Sequence, residues 1–499
     1  TCAGHSGSSR TWRPVRETGE TVMREPDSSL VTRRRQTKTP AMRPLLFLCL
    51  TVLALRAAPP AGPEAALQAI YREALVNGRA YDQLAELVTR HPGRLAGSKA
   101  LEEAVIWSEH TLTALGLDRV YKQEVMVPHW ERGAPETVRL LAENPGGAAI
   151  GLTALALGGS VATPAEGITA EVIEVRSLDE LAALGREKIA GKIVFFNRPM
   201  DPALPNPWDG YRGAVDQRSR GPRAAAEFGA VAALVRSLTL AHDDVPHAGN
   251  TAYAPDGGNI PAAALSTLAA DRLSAALAAN PARRVEMCLH SRRHPDALSH
   301  NVIGEIRGTE FPDEIILVGG HLDSWDITPG AHDDGAGVVQ SIEVLRIFRA
   351  LGYQPRRTIR CVLFTNEENG LRGALAYADH ARRSGEKHVF AVETDSGGFA
   401  PRGFSLGSTQ GPVHERAQRW LPLFAPYRVT SFVRGSGGAD VGPLMVLGTT
   451  VGNLLPDTQR YFDYHHTAVD TLDKVHPREL HLGAGALAAL IWLVDREGL

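Results

Sequence analysis

A chain of 499 residues is long enough for two or three domains, and 43% hydrophobic with 22% charged residues is ordinary globular composition. This excludes a largely disordered chain and a multispan membrane protein. A formal charge of −3 gives no electrostatic case for a nucleic-acid partner, and four cysteines without a C-x-x-C pair exclude a disulfide framework and a zinc–cysteine cluster.

Residues 1–41 are polar and Arg-rich, and are read as a non-native or disordered upstream segment. Residues 42–58, MRPLLFLCLTVLALRAA, have the form of a secretory signal: one Arg, an apolar core from Leu45 to Leu55, then small residues. That core is too short to span a bilayer, which takes ~20 apolar residues. The expected product is exported, to a periplasm or the extracellular space, with no membrane attachment in its mature form. Its charge is more negative than that of the whole chain, because the removed segment is basic.

From Glu64 to Gly116 apolar residues recur at helical spacing (Leu67, Ile70, Ala74 and Leu75, then Ala104, Trp107, Leu112 and Leu115), predicting two helices around the turn-rich stretch from His91 to Ser98. Val120–Val127 reads as a strand that ends before Pro128. The next region, to about Leu298, has short Val/Ile runs between Gly/Pro-rich loops, which predicts a separate β-rich unit. His242 and His247 share one of its loops and are read as solvated rather than ligating.

Beyond Ser299 the pattern becomes a regular alternation. Strands are expected at Asn301–Ile306, Ile315–Gly320, Thr358–Thr365, Val389–Thr394 and Thr449–Leu455, and helices at Val338–Leu351, Leu371–Arg382 and Leu480–Val494. Such an order predicts an α/β fold with a mixed, mostly parallel sheet and helices on both faces. Ligands of open α/β sheets collect at the carboxyl ends of strands. Here successive strands end in His321, in Glu367-Glu368 and in Asp395, while Asp333 and His466 lie in loops that can reach the same edge. Two imidazoles and three carboxylates suit a pair of zinc ions with one shared carboxylate. Zinc lowers the pKa of bound water to about 7 and so supplies a hydroxide nucleophile, and a carboxylate outside the ligand set can act as general base.

The series H-L-D, D-D-G-A-G, N-E-E, T-D-S and Y-H-H-T resembles the co-catalytic zinc peptidase family M28, and the likeness runs from about Ile70 to the C-terminus. The resemblance implies two Zn2+ per chain, one held by His321 and Asp395, the other by Glu368 and His466, with Asp333 bridging. It implies Glu367 as general base, Asp323 as the residue that orients His321, and a cis peptide after Asp333. His466 is preferred to His465 because the family's ligand directly precedes Ser or Thr. It further implies N-terminal helices of the peptidase domain over 64–130, an inserted protease-associated domain over 131–298, and a catalytic domain over 299–499. Homodimerisation and hydrolysis of dipeptides or short peptides with free termini also follow from it. Gly437-Gly438-Ala439-Asp440 departs from the family's usual G-x-G-T-D loop, which loosens the substrate assignment. Alternatives are an aminopeptidase of the same family, a single-zinc glutaminyl cyclase on the same fold, and a non-catalytic binding ectodomain. Asp326 and Asp334 are expected to support the site rather than to ligate. His414-Glu415 begins like a zincin motif, but Gln418 stands where the second His would be.

Overall fold

The computed structural model describes residues 62–144, 146–253 and 257–499; the signal-like segment and the residues before it lie outside these. The branched apolar runs become strands of a mixed eight-stranded sheet: β1 (Arg119–Glu131), β2 (Arg292–Ile306), β3 (Phe311–His321), β4 (Arg357–Phe364), β5 (Lys387–Glu393), β6 (Pro401–Gly407), β7 (Ser431–Arg434) and β8 (Thr450–Pro456). Their order is β1-β2-β4-β3-β5-β8-β6-β7. The four central strands β4, β3, β5 and β8 are parallel. β1 and β2 run antiparallel at one edge, and at the other β6 pairs antiparallel with β8 and parallel with β7.

Period-2 alternation sends the side chains of β3 to two different cores. Ile316 and Val318 pack with Leu67 and Ile70 of α1 (Pro63–Asn77), Leu84 of α2 (Ala80–Arg90), Leu112 of α3 (Lys99–Ala114) and residues of α4 (Ala336–Ala350). Ile315 and Leu317 face the opposite side, with Ala374 and Tyr377 of α5 (Arg372–Ser384). The long C-terminal α6 (Pro477–Glu497) joins the first core through Leu487, Leu490 and Ile491. Because both faces are covered, β3 carries the unbroken apolar run Ile315–Val318, and β4 is buried on both faces from Thr358 to Phe364 although Arg360 interrupts its apolar run.

Four details differ from the sequence expectation, the first being that β2 begins at Arg292 rather than Asn301. The 64–116 stretch forms three helices, since Gly78 ends the first and a short second helix begins at Ala80. β1 does not stop at Val127: it continues to Glu131 against Arg292, with its register shifting between Val127 and His129. Pro128 cannot donate to the ladder, so it is accommodated at that irregularity rather than ending the strand. β6 and β7, short and containing Gly or Ser, carried no periodic signal.

A second eight-stranded sheet is built wholly from residues between Thr137 and Cys288. The chain leaves the first sheet at the end of β1 and returns at the start of the adjacent β2, so this unit is an excursion from one edge. It has its own cores, around Phe195 and Leu234 on one face and Phe196 and Val235 on the other. It also carries helices as well as strands, among them Pro207–Ala214 and the single turn Asp216–Ser219.

Candidate metal centre

The parallel strands β3, β4, β5 and β8 end on the same side, and their ends carry the site. His321 is the last residue of β3. Asp333 lies in the turn Ala331–Gly335 that leads into α4, and the Asp333–Asp334 peptide is cis, as the resemblance implied. Glu367 and Glu368 occupy the turn after β4, Asp395 follows β5, and His466 follows the short helix Tyr461–Tyr464 beyond β8.

These side chains converge on the Asp333 carboxylate. His321 Nε2 is 3.4 Å from Asp333 Oδ1 and 3.8 Å from Asp395 Oδ1. On the other side His466 Nε2 is 3.4 Å from Asp333 Oδ2 and 3.1 Å from Glu368 Oε2. All but Asp395 are buried, yet His321 Nε2, Asp333 Oδ2, Glu368 Oε1 and Asp395 Oδ1 have no hydrogen-bond partner. Orphaned polar atoms are costly in an interior, and ligand atoms of His321, Asp333 and Asp395 that lie within 4.8 Å of one another fit a cation site. Burial pushes the Asp333 carboxyl up, with Asp395 adding to the effect against the pull of His321; burial and Asp333 push the Glu368 carboxyl up. Carboxylates so placed need positive charge beside them in order to ionise.

The candidate ligands are held from behind by main-chain contacts. His321 Nδ1 meets the Asp323 carbonyl oxygen at 3.0 Å, leaving Nε2 for the site. The Asp323 carboxylate is 3.7 Å from that nitrogen, beyond hydrogen-bond length, and instead accepts from the backbone N–H groups of Glu367 and Glu368 at 3.0 and 3.2 Å. Asp323 thus orients His321 through its carbonyl and the Glu367-Glu368 turn through its carboxylate. Asp334 accepts from His321 N and Gly337 N, tying β3 to the start of α4. Asp470 accepts from the N–H groups of His332 and Asp333 at 2.8 and 3.0 Å.

His465 stacks on His466 with ring centroids 3.5 Å apart, and its Nε2 is 3.9 Å from Asp333 Oδ2, so it too could ligate beside Asp333. His466 has the better geometry: its Nδ1 donates to Ala248 O at 3.2 Å, which turns Nε2 toward both Asp333 and Glu368. His247 is not solvated as expected. It is buried, and its ring Nδ1 lies 2.8 Å from His465 O, so the inserted unit braces the loop that carries both histidines. His242 is exposed and pairs with Asp271.

The loop between His321 and Asp333 has further supports, Arg94 and Trp325 without a role assigned from the sequence and Asp326 in the supporting role expected of it. Arg94, in the turn before α3, is completely buried and does not reach the cleft. Its guanidinium donates to the carbonyls of Leu322, Pro329, Gly330 and His91, clamping the loop between His321 and Asp333. Asp326 makes a two-pronged ion pair with Arg132, both bonds 2.7 Å, which fastens that loop to the chain entering the second sheet. Trp325, fully buried, packs edge-on against His466 at 5.7 Å. Glu367 lines the cavity above the cluster; burial, with Asp395 and Asp323 adding, pushes its carboxyl up to about 8.

Residues 301–491 match the family described as peptidase family M28. Carboxypeptidase Q of Bos taurus is 35% identical over 417 residues, 83% of this chain and 85% of that protein. The crystal structure of a peptidase M28 precursor from Shewanella amazonensis is similar with a TM-score of 0.83 at 35% identity, covering 88% of this chain and 97% of that one. A zinc aminopeptidase from Bacillus subtilis shares the fold at 19% identity, with a TM-score of 0.62 over 84% of this chain and 96% of that one.

Proposed function

From the premise that this chain belongs to peptidase family M28 and is a hydrolytic metallopeptidase, we propose that it is a di-zinc exopeptidase cleaving dipeptides or short peptides. The observation that carries the di-zinc reading is the Asp333 carboxylate, each oxygen of which lies 3.4 Å from a different imidazole. A carboxylate flanked so evenly is suited to be shared. His321 and Asp395 would hold one Zn2+, Glu368 and His466 the other, and Asp333 both. When bound, such a pair of ions activates water at neutral pH and polarises the scissile carbonyl.

The chain's own contribution is proton handling and positioning. Glu367, free of the ligand set but adjacent to it, would take a proton from the attacking water on its carboxylate. As the C–N bond breaks, it would pass that proton to the leaving nitrogen. Positive charge in the site would draw the Glu367 carboxyl down from about 8 toward the working range of a general base. Asp323 keeps Glu367 and Glu368 in place through their backbone N–H groups, so that one carboxylate faces the ligand cluster and the other the cavity.

The Met42–Ala58 segment supports export, and the position of residues 137–288 between two adjacent strands supports reading them as a protease-associated domain. Assembly as a homodimer is proposed from the family resemblance and is tested by sedimentation. The deciding experiment measures bound metal per chain and the hydrolysis of an unblocked dipeptide, its N-acetyl form and its amide. Two zinc ions, and activity lost on blocking either terminus, is the expected result. One zinc without peptide cleavage by folded protein would overturn the reading and direct the assay to cyclisation of N-terminal glutamine.

A further inference from the structure

The cavity over the cluster, about 1060 Å³, is walled on one side by Asp333, Glu367 and His466 and on the other by Trp208, Tyr211 and Arg218 of the inserted unit. The two sides meet along the segment that carries His466. That segment is tied to the main sheet and its loops near its ends, where Asp457 N donates to Ala400 O at 2.9 Å and Ala331 N donates to Asp470 O at 3.3 Å. Between these points it rests on the inserted unit. Gln459 Nε2 donates to Pro205 O at 2.9 Å, Trp208 stacks on Tyr461 with ring centroids 5.5 Å apart, and Tyr211 stacks on Phe462 at 4.8 Å. Next along, His247 Nδ1 donates to His465 O at 2.8 Å, Ala248 N donates to His466 O at 2.9 Å, and His466 Nδ1 returns a bond to Ala248 O.

The turn that presents His466 needs this support. Thr467 N donates to Tyr464 O at 3.1 Å across it, with His465 at φ −46°, ψ 122° and His466 at φ +62°. This is the form of a type II turn, whose third residue is ordinarily glycine or asparagine because other side chains resist a left-handed backbone. Strain of this kind persists only where surrounding contacts over-determine it. The contacts here come from fixed points of the inserted unit: His247 is buried, its N–H donates to Ser237 Oγ at 2.9 Å, and Ala248 O also receives Arg218 Nη1 at 3.4 Å. By contrast His321, at the end of β3, is held by Asp323 and Asp334, and Asp395 directly follows β5. That half of the cluster is built by the main sheet.

We propose that His247 and Ala248 position His466, so that docking of the inserted unit sets the metal affinity of the Glu368–His466 position while the His321–Asp395 position does not depend on it. This rests on the di-zinc reading and assigns a regulation of the same site: filling of the second metal position and closure of the cavity wall are one coupled equilibrium. Such coupling is reciprocal, so whatever loosens the inserted unit weakens that position, and filling the position holds the inserted unit in place. His247 is a positioning residue in this scheme. Loss of its donor would leave the buried His465 oxygen without that bond, one residue before the ligand.

The test uses the full chain, stripped of metal and titrated with Zn2+ against a chelating dye. Wild type is expected to bind two ions in resolved steps. His247→Leu should weaken one step by about 10-fold or more and leave the other unchanged, the size of effect that follows loss of a group holding a metal ligand. His247→Asn, whose amide offers a donor close to the place of Nδ1, should recover most of that affinity. Trp208→Ala, at a partly exposed position away from the ligands, should weaken the same step and carries the test if His247→Leu does not fold. In wild type, zinc should slow hydrogen exchange of the Ala248 amide by about 10-fold or more and leave the Phe195 and Leu234 amides of the inserted unit's core unchanged. Both steps weakened alike, affinities unchanged in the folded variants, or Ala248 exchange indifferent to zinc would overturn the coupling. Wild type that takes up a single ion would sink the di-zinc reading and the coupling with it, and the stoichiometry shows this before any variant is made.

Discussion

Arg94→Met replaces a buried guanidinium with an apolar chain of similar length and tests whether the loop between His321 and Asp333 is held as the structure implies. The guanidinium donates to four carbonyls, those of Leu322, Pro329, Gly330 and His91. Orphaning each costs ~1–1.5 kcal/mol, or roughly 5 kcal/mol together. Against this, burial, partly offset by Asp323 and Asp470, lowers the Arg94 pKa to about 10, so removing the cation returns a net of about 3 kcal/mol. The expected net loss is therefore ~2 kcal/mol, smaller than a count of hydrogen bonds suggests. Urea unfolding with and without zinc measures it, and zinc affinity should weaken in parallel because the clamped loop links two candidate ligands. Arg94→Lys should be about as damaging, since one ammonium cannot meet four divergent carbonyls. An Arg94→Met protein within ~0.5 kcal/mol of wild type would refute the clamp, as surface substitutions show changes of that size.

Glu367→Gln should lower kcat by ~100-fold or more while leaving zinc content unchanged, because it removes proton transfer and not a ligand; full activity would discard Glu367 as the base. Asp333→Ala should bring bound zinc, measured by elemental analysis, below two per chain, and retention of two ions would show that the carboxylate is not shared. His388 offers a pH test away from the site. Burial, reinforced by Arg360, lowers its pKa to about 4, and its ring contacts Tyr377 Oη at 2.8 Å. A histidine kept neutral in the folded state binds fewer protons than its unfolded counterpart between about pH 6.5 and pH 4. Stability should therefore fall by about 2 kcal/mol between pH 7 and pH 5 on its account. His388→Gln should flatten that part of the urea-midpoint profile, and an unchanged slope would rule the residue out as its source.

The main sheet and the candidate ligands were legible in the sequence because their determinants are local. β3, β4 and β5 are largely apolar runs buried on both faces, and each carries its acid or imidazole at the residue where the strand gives way to a turn. His321, Asp333, Glu367, Glu368, Asp395 and His466 could be placed on one sheet edge without coordinates. What could not be read was whatever depends on a distant partner. Nothing near Arg94 in the chain indicates that it serves carbonyls of the 322–330 loop, and only the packed fold shows that Asp323 meets His321 by its carbonyl and the Glu367-Glu368 turn by its carboxylate. The same holds for Arg218, an arginine in a polar stretch of the inserted unit. It becomes a buried cation at the cavity only once loops of the inserted unit and of the main sheet meet at the Ala248–His466 contact. Strand ends are written in adjacent residues, whereas the burial of a charge is set by what the rest of the chain brings against it.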